Sequence, residues 1–304
     1  VTLTVLVPDE FGVKALSDVD GLRPVQYQPG EPLPPEAAEA EVLIPRFLQG
    51  SDPAEVFAQL PALRLVQLLS AGAERFIGHV PDGVLLSTCR GAHGGSTAEW
   101  AVAALLSIYR ELPGFERARQ ERRWDYHYTD TLQGKRVLVV GAGDLGRQFR
   151  RRIEPFDVTV TMVGRTARDG VHGLAELPDL LGEHDAVLIV VPLTDETTGL
   201  VDADFLARMP DGAVLVNAAR GPVVDTDALV AELSAGRLRA ALDVTEPEPL
   251  PEDHPLWRVP GLLLTPHVAG SCRGSGHRAY AVVVSELTRF AAGLEPENLV
   301  RGDY

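Results

Sequence analysis

Three short stretches carry the side chains best suited to chemistry: Val216-Asn217-Ala218-Ala219-Arg220-Gly221, the run ALDVTEPEPL from Ala241 to Leu250, and Leu264-Thr265-Pro266-His267-Val268-Ala269-Gly270. Each continues an apolar run, so each is expected where a strand of a parallel sheet ends, which is where such sheets place their sites. Together they supply an arginine, carboxylates and a histidine. An arginine fork holds a carboxylate through two parallel hydrogen bonds and polarises the adjacent carbonyl. A histidine delivers a proton near neutral pH, and a carboxylate beside it fixes which ring nitrogen carries that proton. The set suits reduction of an α-keto acid, in which a hydride reaches the carbonyl carbon and a proton reaches its oxygen. Taken singly, each residue also has a plain reading: a surface ion pair for Arg220, a proline-rich loop for Glu248, an exposed or structural ring for His267.

A hydride needs a carrier, and the stretch Leu132–Arg168 offers a place for one. The apolar run Val137–Val140 enters Gly141-Ala142-Gly143-Asp144-Leu145-Gly146, and a second β-branched run, Val158–Val163, follows a helix-compatible segment. In a strand–helix–strand unit this G-x-G-x-x-G pattern is a dinucleotide fingerprint. Gly141 permits the tight turn, Gly143 lets backbone approach a pyrophosphate, and Gly146 lets the helix pack on the strand. The amides of Asp144 and Leu145 then open a helix whose N-terminus receives phosphate, with the Asp144 side chain expected to face solvent. The second strand of such a unit normally ends in an acid for the ribose 2′-hydroxyl, yet here it runs into Gly164-Arg165-Thr166-Ala167-Arg168, with no carboxylate. Two guanidiniums and a hydroxyl suit a 2′-phosphate, so NADP(H) is the expected cofactor and NAD(H) the lesser possibility.

The elements that must position these residues follow from periodicity. Val1–Val7, Val42–Pro45, Leu63–Leu69 and Val84–Thr88 read as strands of a first parallel sheet, and Asp52-Pro53 as a helix start. Ser96-Thr97-Ala98-Glu99 reads as a capping box ahead of a long helix over Trp100–Ile108, ended or bent at Pro113-Gly114. Past the charged segment 115–123 comes the aromatic cluster Trp124, Tyr126, His127 and Tyr128. Beyond the fingerprint, Ala186–Val191, Ala213–Ala219, Leu238–Val244 and Leu262–Thr265 are strand candidates, with helices at Asp202–Met209 and Thr226–Ala235. The expected fold is α/β with two doubly wound parallel-sheet domains. Residues 96–273 form the Rossmann dinucleotide-binding domain, and 1–95 with the helix in 274–304 form a smaller, flavodoxin-like substrate domain.

The composition bounds the rest. A formal net charge of −15 argues against nucleic acid or an anionic membrane as partner. Cys89 and Cys272 form neither a disulfide framework nor a metal-ligand spacing, so no metal is expected and a reducing compartment fits. Val1–Val7 is too short and lacks the basic flank of a signal peptide, and no apolar stretch has membrane-spanning length, so a cytoplasmic location is expected.

The run VPLTDETTGLVDADFLARMPDGAVLVNAARGPVVDTDALVAEL, continued through ALDVTEPEPLPEDHPLW to LLLTPHVAG, resembles the D-isomer-specific 2-hydroxyacid dehydrogenase family. The resemblance is strong from Ser96 to Gly270 and looser in the outer domain. It implies that Arg220 binds the substrate carboxylate and carbonyl, that His267 is the general acid/base, and that Glu248 is its partner. Asp243 and the Ala218 backbone would hold the nicotinamide carboxamide. Thr97 would lie near the nicotinamide half, Val191 and Pro192 with Leu193 and Thr194 would wall the adenine side, and Thr198 counts among the cofactor contacts. In the outer domain Leu69-Ser70-Ala71-Gly72-Ala73 resembles the loop whose amides receive the substrate carboxylate, making Ala71 and Gly72 substrate-binding candidates. A small 2-keto acid of the glyoxylate or hydroxypyruvate type is the implied substrate, and a homodimer the implied assembly. Similar chains also serve as dinucleotide-sensing corepressors or as dehydrogenases of a small inorganic or one-carbon anion. The Glu248 partner of the histidine counts against that last alternative.

Overall fold

The alternation of apolar runs with helix-length segments folds as two α/β units in the computed structural model, which describes residues 2–46 and 52–301. One unit combines Val1–His93 with Arg273–Tyr304, and the other is the continuous stretch Gly94–Cys272. Among the described residues no helix is long and apolar enough to cross a membrane.

In the first unit β1 (Leu3–Val7), α1 (Glu10–Ser17), β2 (Leu22–Gln26), β3 (Val42–Leu43), α2 (Pro53–Phe57), β4 (Leu65–Gln67) and β5 (Leu85–Ser87) follow one another along the chain. The sheet is parallel, in the flavodoxin-like order β2-β1-β3-β4-β5. It is covered on both faces, so β1 is buried throughout. Leu3, Val5 and Val7 join a cluster with Leu16, Leu65 and the C-terminal helix Ser275–Ala291, which contributes Tyr280, Val283 and Leu287. Leu6 belongs to the opposite cluster with Leu43, Val66 and Phe57. Asp52 caps α2, accepting from the Ala54 amide at 2.9 Å with Pro53 in the first turn, as the Asp-Pro pair predicts. The strand expected from Val1 begins at Leu3, Val1 itself lying outside the described residues. Strand β2 is an addition, hidden in the sequence by Arg23-Pro24; a proline is tolerated there because β2 is an edge. The other edge, β5, is paired by the chain's end: Thr88 N donates to Asn298 O at 3.0 Å and Val300 N to Leu86 O at 2.8 Å.

The second unit holds α3 (Gly94–Tyr109), α4 (Leu112–Gln120), β6 (Arg136–Val140), α5 (Asp144–Ile153), β7 (Thr159–Gly164), β8 (His172–Gly173), α6 (Leu177–Leu180), β9 (Ala186–Ile189), α7 (Ala203–Arg208), β10 (Val214–Asn217), α8 (Thr226–Ser234), β11 (Arg239–Leu242) and β12 (Leu262–Leu264). Its sheet runs β12-β11-β10-β9-β6-β7-β8. Counted from β6, this is the Rossmann order with one strand added, and the order reverses between β6 and β9. Every pairing is parallel. Leu138, Val140 and Leu215 pack on one face, and Val137, Val139, Phe149 and Ala98 on the other.

Two expectations near α3 are corrected. The helix starts at Gly94, so Ser96 lies inside its first turn and does not cap it. The reason is close packing on α5: a Cβ at Gly94 would stand 2.1 Å from Asp144 Oδ2, and one at Gly95 3.0 Å from Arg152 Nη2. The break also precedes Pro113-Gly114. Glu111 adopts a left-handed φ of 51°, and Pro113 sits in the first turn of α4, where its missing N–H costs nothing. The segment 124–128 beyond α4 lacks regular structure and exposes Trp124, Tyr126 and Tyr128.

Candidate active site

Register places the site. Val140 lies beside Val163 and Ile189, Ile189 beside Asn217, Asn217 beside Leu242, and Leu242 beside Leu264. Six strands of the second unit therefore end level, and the loops that follow them share one edge of the sheet.

The cofactor half of that edge is governed by backbone sterics. Gly141 has φ +122° and a Cβ there would stand 2.4 Å from Val190 O; at Gly146 it would stand 2.0 Å from Gly141 O. At Gly143 a Cβ would meet nothing within 4 Å. Two glycines thus close the turn, while the third leaves space beside the first amides of α5. Such unpaired N–H groups at a helix N-terminus receive phosphate, so the residues present fit a dinucleotide. Arg147 Nη1 and Arg168 Nη2 both donate to Ala142 O, at 3.1 and 3.3 Å, which brings two cations against this turn. Arg147 is an addition to the expected set, since its place on α5 gave no signal in the motif.

Two details of this half differ from expectation. Asp144 is half-buried, its carboxylate against Gly94, and Gln148 Nε2 reaches Oδ1 at 3.5 Å; it does not point to solvent. The absence of a side chain on Gly94 makes the room, and the N-terminus of α3 favours the charge. Near Gly164 a carboxylate is present after all. Arg165 Nε lies 3.3 Å from Glu196 Oε2, which arrives from the loop after β9, a part of the sequence remote from the fingerprint. Thr166 is exposed. Val191 and Pro192 begin the loop that carries Glu196, and Thr198 Oγ1 closes it by donating to Thr194 O at 2.8 Å.

The other half is governed by side-chain hydrogen bonds. Asn217, buried at the end of β10, donates through Nδ2 to Arg220 O at 3.0 Å and accepts from Ala219 N at 3.0 Å. That closes the turn 217–220, with Ala218 within it and Arg220 half-buried. Gly221 lies flat on the next loop, since a Cβ there would stand 2.0 Å from Thr245 O. His267 Nδ1 and Glu248 Oε2 are 2.9 Å apart, and Glu248 Oε1 accepts from Thr245 N at 3.0 Å. The carboxylate is thus held by the backbone on one side and by the ring on the other. His267 itself has φ 53°, an uncommon conformation for a residue with a side chain. Asp243, 3% exposed, accounts for how it is maintained. Its carbonyl accepts from His267 N at 2.7 Å, while its carboxylate accepts from Val268 N, Ala269 N and Thr265 Oγ1 at 2.9, 2.9 and 2.6 Å. Asn217, Thr245 and Thr265 were not singled out from the sequence. Their polar side chains at strand ends are too ordinary a signal.

Thr97 is buried in α3. Ala71 and Gly72 lie in the first unit, in the turn after β4, where Ser70 Oγ donates to Gly72 O at 2.7 Å.

A family model described as "D-isomer specific 2-hydroxyacid dehydrogenase, NAD binding domain" matches residues 102–269. The chain belongs to this family. Glyoxylate reductase of Thermofilum pendens is 33% identical over 264 residues, 81% of this chain and 77% of the relative. D-3-phosphoglycerate dehydrogenase of Archaeoglobus fulgidus is 30% identical over 276 residues, 87% of this chain, and the match spans only 52% of that relative's length. Among solved structures, a D-isomer specific 2-hydroxyacid dehydrogenase from Xanthobacter autotrophicus Py2 in complex with NADPH and MES is 32% identical, with a TM-score of 0.86 over 99% of this chain and 98% of that one. An NADPH-dependent glyoxylate/hydroxypyruvate reductase from Sinorhizobium meliloti, in complex with NADP and sulfate, is 25% identical, with a TM-score of 0.83 and coverage of 99% and 98%.

Proposed function

We propose that this member of the family is an NADP(H)-preferring reductase of a small 2-keto acid, of the glyoxylate or hydroxypyruvate type, that forms the D-2-hydroxy acid. The observation that carries the reading is the Glu248–His267 contact of 2.9 Å, with Glu248 braced by Thr245 N. A carboxylate accepts, so Nδ1 of His267 is the donor in this pair, and Nε2 is the nitrogen that transfers a proton. When bound, the reduced nicotinamide supplies the hydride. His267 Nε2 gives its proton to the carbonyl oxygen as that oxygen gains charge, and Glu248 holds the ring in the orientation that aims Nε2 away from it. Arg220 holds the substrate carboxylate and polarises the carbonyl. The backbone at Ala218 and the side chain of Asp243 are assigned to the carboxamide, and the amides at Gly143, Asp144 and Leu145 to the pyrophosphate. One carboxylate offers about four lone-pair sites, and Asp243 uses three on its own chain, so its contact with a carboxamide is a fourth. Arg165, Thr166 and Arg168 support the NADP(H) preference, as do the complexes of two similar structures with NADPH and NADP. A homodimer, on the family resemblance, and a reducing, cytoplasmic location, which the two cysteines fit, complete the reading.

A steady-state comparison of NADPH with NADH, against glyoxylate, hydroxypyruvate, pyruvate and bulkier 2-keto acids, tests it. NADPH is expected to give kcat/KM at least about tenfold higher, roughly what one hydrogen bond to a charged group contributes. Equal efficiency with NADH overturns the cofactor assignment, and no turnover across the panel overturns the reductase reading.

A further inference from the structure

We propose that Glu196 sets how strongly this site discriminates between the two dinucleotides, by competing with a 2′-phosphate for Arg165; the inference rests on the NADP(H) reading above. The strand β7 ends without the acid that usually marks its terminus, and the structure brings one in from the loop after β9, with Glu196 Oε2 3.3 Å from Arg165 Nε. The loop is built to keep it there. Thr197 Oγ1 donates to Pro192 O at 2.6 Å and accepts from Thr194 N at 2.8 Å, and Thr198 Oγ1 donates to Thr194 O at 2.8 Å.

The pair is also built to open. Its side chains are 58% and 63% exposed, where an ion pair is weak and readily exchanged. A phosphate monoester brings a charge approaching −2 and three acceptor oxygens to the same planar fork. Arg168, by contrast, is drawn back onto the glycine turn through Ala142 O at 3.3 Å. Arg165 is therefore the guanidinium whose partner must change when a 2′-phosphate arrives. A ribose with a free 2′-hydroxyl makes no such demand and leaves the Arg165–Glu196 pair closed. Part of the affinity that Arg165 offers to NADPH is thus spent on displacing Glu196, while NADH binding bears no such cost.

The test uses ligands without a nicotinamide, so its readout is affinity and not turnover. Dissociation constants for 2′,5′-ADP and 5′-AMP are measured by calorimetry on the wild type, Glu196→Gln, Arg165→Gln and the double variant. Both sites are exposed, so folding is not at issue. Glu196→Gln is expected to bind 2′,5′-ADP about three- to tenfold more tightly, the range spanned by loss of an exposed ion pair and of one like charge, with 5′-AMP unchanged. Most of that gain should vanish in the Arg165→Gln background, since competition needs the shared partner. If Arg165→Gln weakens 2′,5′-ADP but Glu196→Gln fails to tighten it, or tightens it equally without Arg165, the role of Glu196 is overturned and the cofactor assignment stands. If Arg165→Gln leaves 2′,5′-ADP binding unchanged, the assignment of Arg165 falls and the role of Glu196 with it.

Discussion

Around the glycine turn, shape is fixed by what cannot be there: a Cβ at Gly141 or Gly146 would run into backbone at 2.4 and 2.0 Å. Two and three strands away along the same edge, shape is fixed by what must be there: the Asn217 amide, the Asp243 carboxylate with its three donors, and the Thr245 amide that braces Glu248. The first kind of restraint is rigid and tolerant of chemistry elsewhere, which suits a half that grips phosphates through main chain. The second places charged tips to within hydrogen-bond tolerance and depends on every partner, which suits the proton transfer proposed for this half.

Substitutions can break or sharpen this contrast. The largest effect is expected for His267→Gln, which removes the proposed proton donor: kcat should fall about a thousandfold, with the dissociation constant for NADPH unchanged. A loss below about tenfold would take the proton role from His267. Next is Arg220→Lys. An ammonium cannot make the planar bidentate contact, so kcat/KM should drop about a hundredfold, and near-wild-type turnover would sink the assignment. Gly146→Ala strikes the other half. Its Cβ must displace Gly141 O, so stability in a denaturant titration should fall by about 2 kcal/mol and 2′,5′-ADP affinity should weaken with it. Unaltered dinucleotide affinity in Gly146→Ala would show that the glycine turn is not where binding is decided.

The smallest effect concerns His184, which precedes β9 at the sheet edge away from the site and is 1% exposed. The Leu180 carbonyl can only accept, so Nδ1 donates to it at 2.7 Å, and the neutral ring's Nε2 accepts from Thr161 Oγ1 at 2.8 Å. Burial pushes its pKa down from the usual histidine value. A lowered folded-state value means that His184 adds stability above about pH 6.5, and that this contribution is lost as pH falls through the folded value. Melting temperatures between about pH 7.5 and 5 should decline less steeply in His184→Gln than in the wild type; parallel slopes would remove His184 as a source of acid sensitivity.

Legibility in the sequence follows the same divide. Steric demands are local, so the spacing of Gly141, Gly143 and Gly146 announces its turn, and the apolar runs announce most strands of both sheets. The candidate site was legible as three loops, because strand ends bring Arg220, Glu248 and His267 level by register alone. Contacts made across remote segments were not. Glu196 sits some thirty residues past Arg165 in the chain, and no local pattern in the sequence says which loop will fold beside β7. Asp144 likewise looks solvent-facing until α3 is seen to begin with Gly94 against it. Strand β2 was missed because a proline is discounted within a strand unless the strand is known to be an edge.

The first unit needs both ends of the chain, for the cluster built on Leu3, Val5 and Val7 is completed by Tyr280, Val283 and Leu287, and Gly12 has no Cβ because one would stand 2.4 Å from the Tyr280 hydroxyl. The second unit is one uninterrupted stretch. During synthesis, which proceeds from the N-terminus at about 5–20 residues per second, the order of completion is therefore the reverse of the order of emergence. The stretch up to His93 leaves the ribosome ahead of the second unit and waits with one face of its sheet only partly covered, while the dinucleotide-binding unit, begun later, has all its strands in hand before the helix Ser275–Ala291 arrives.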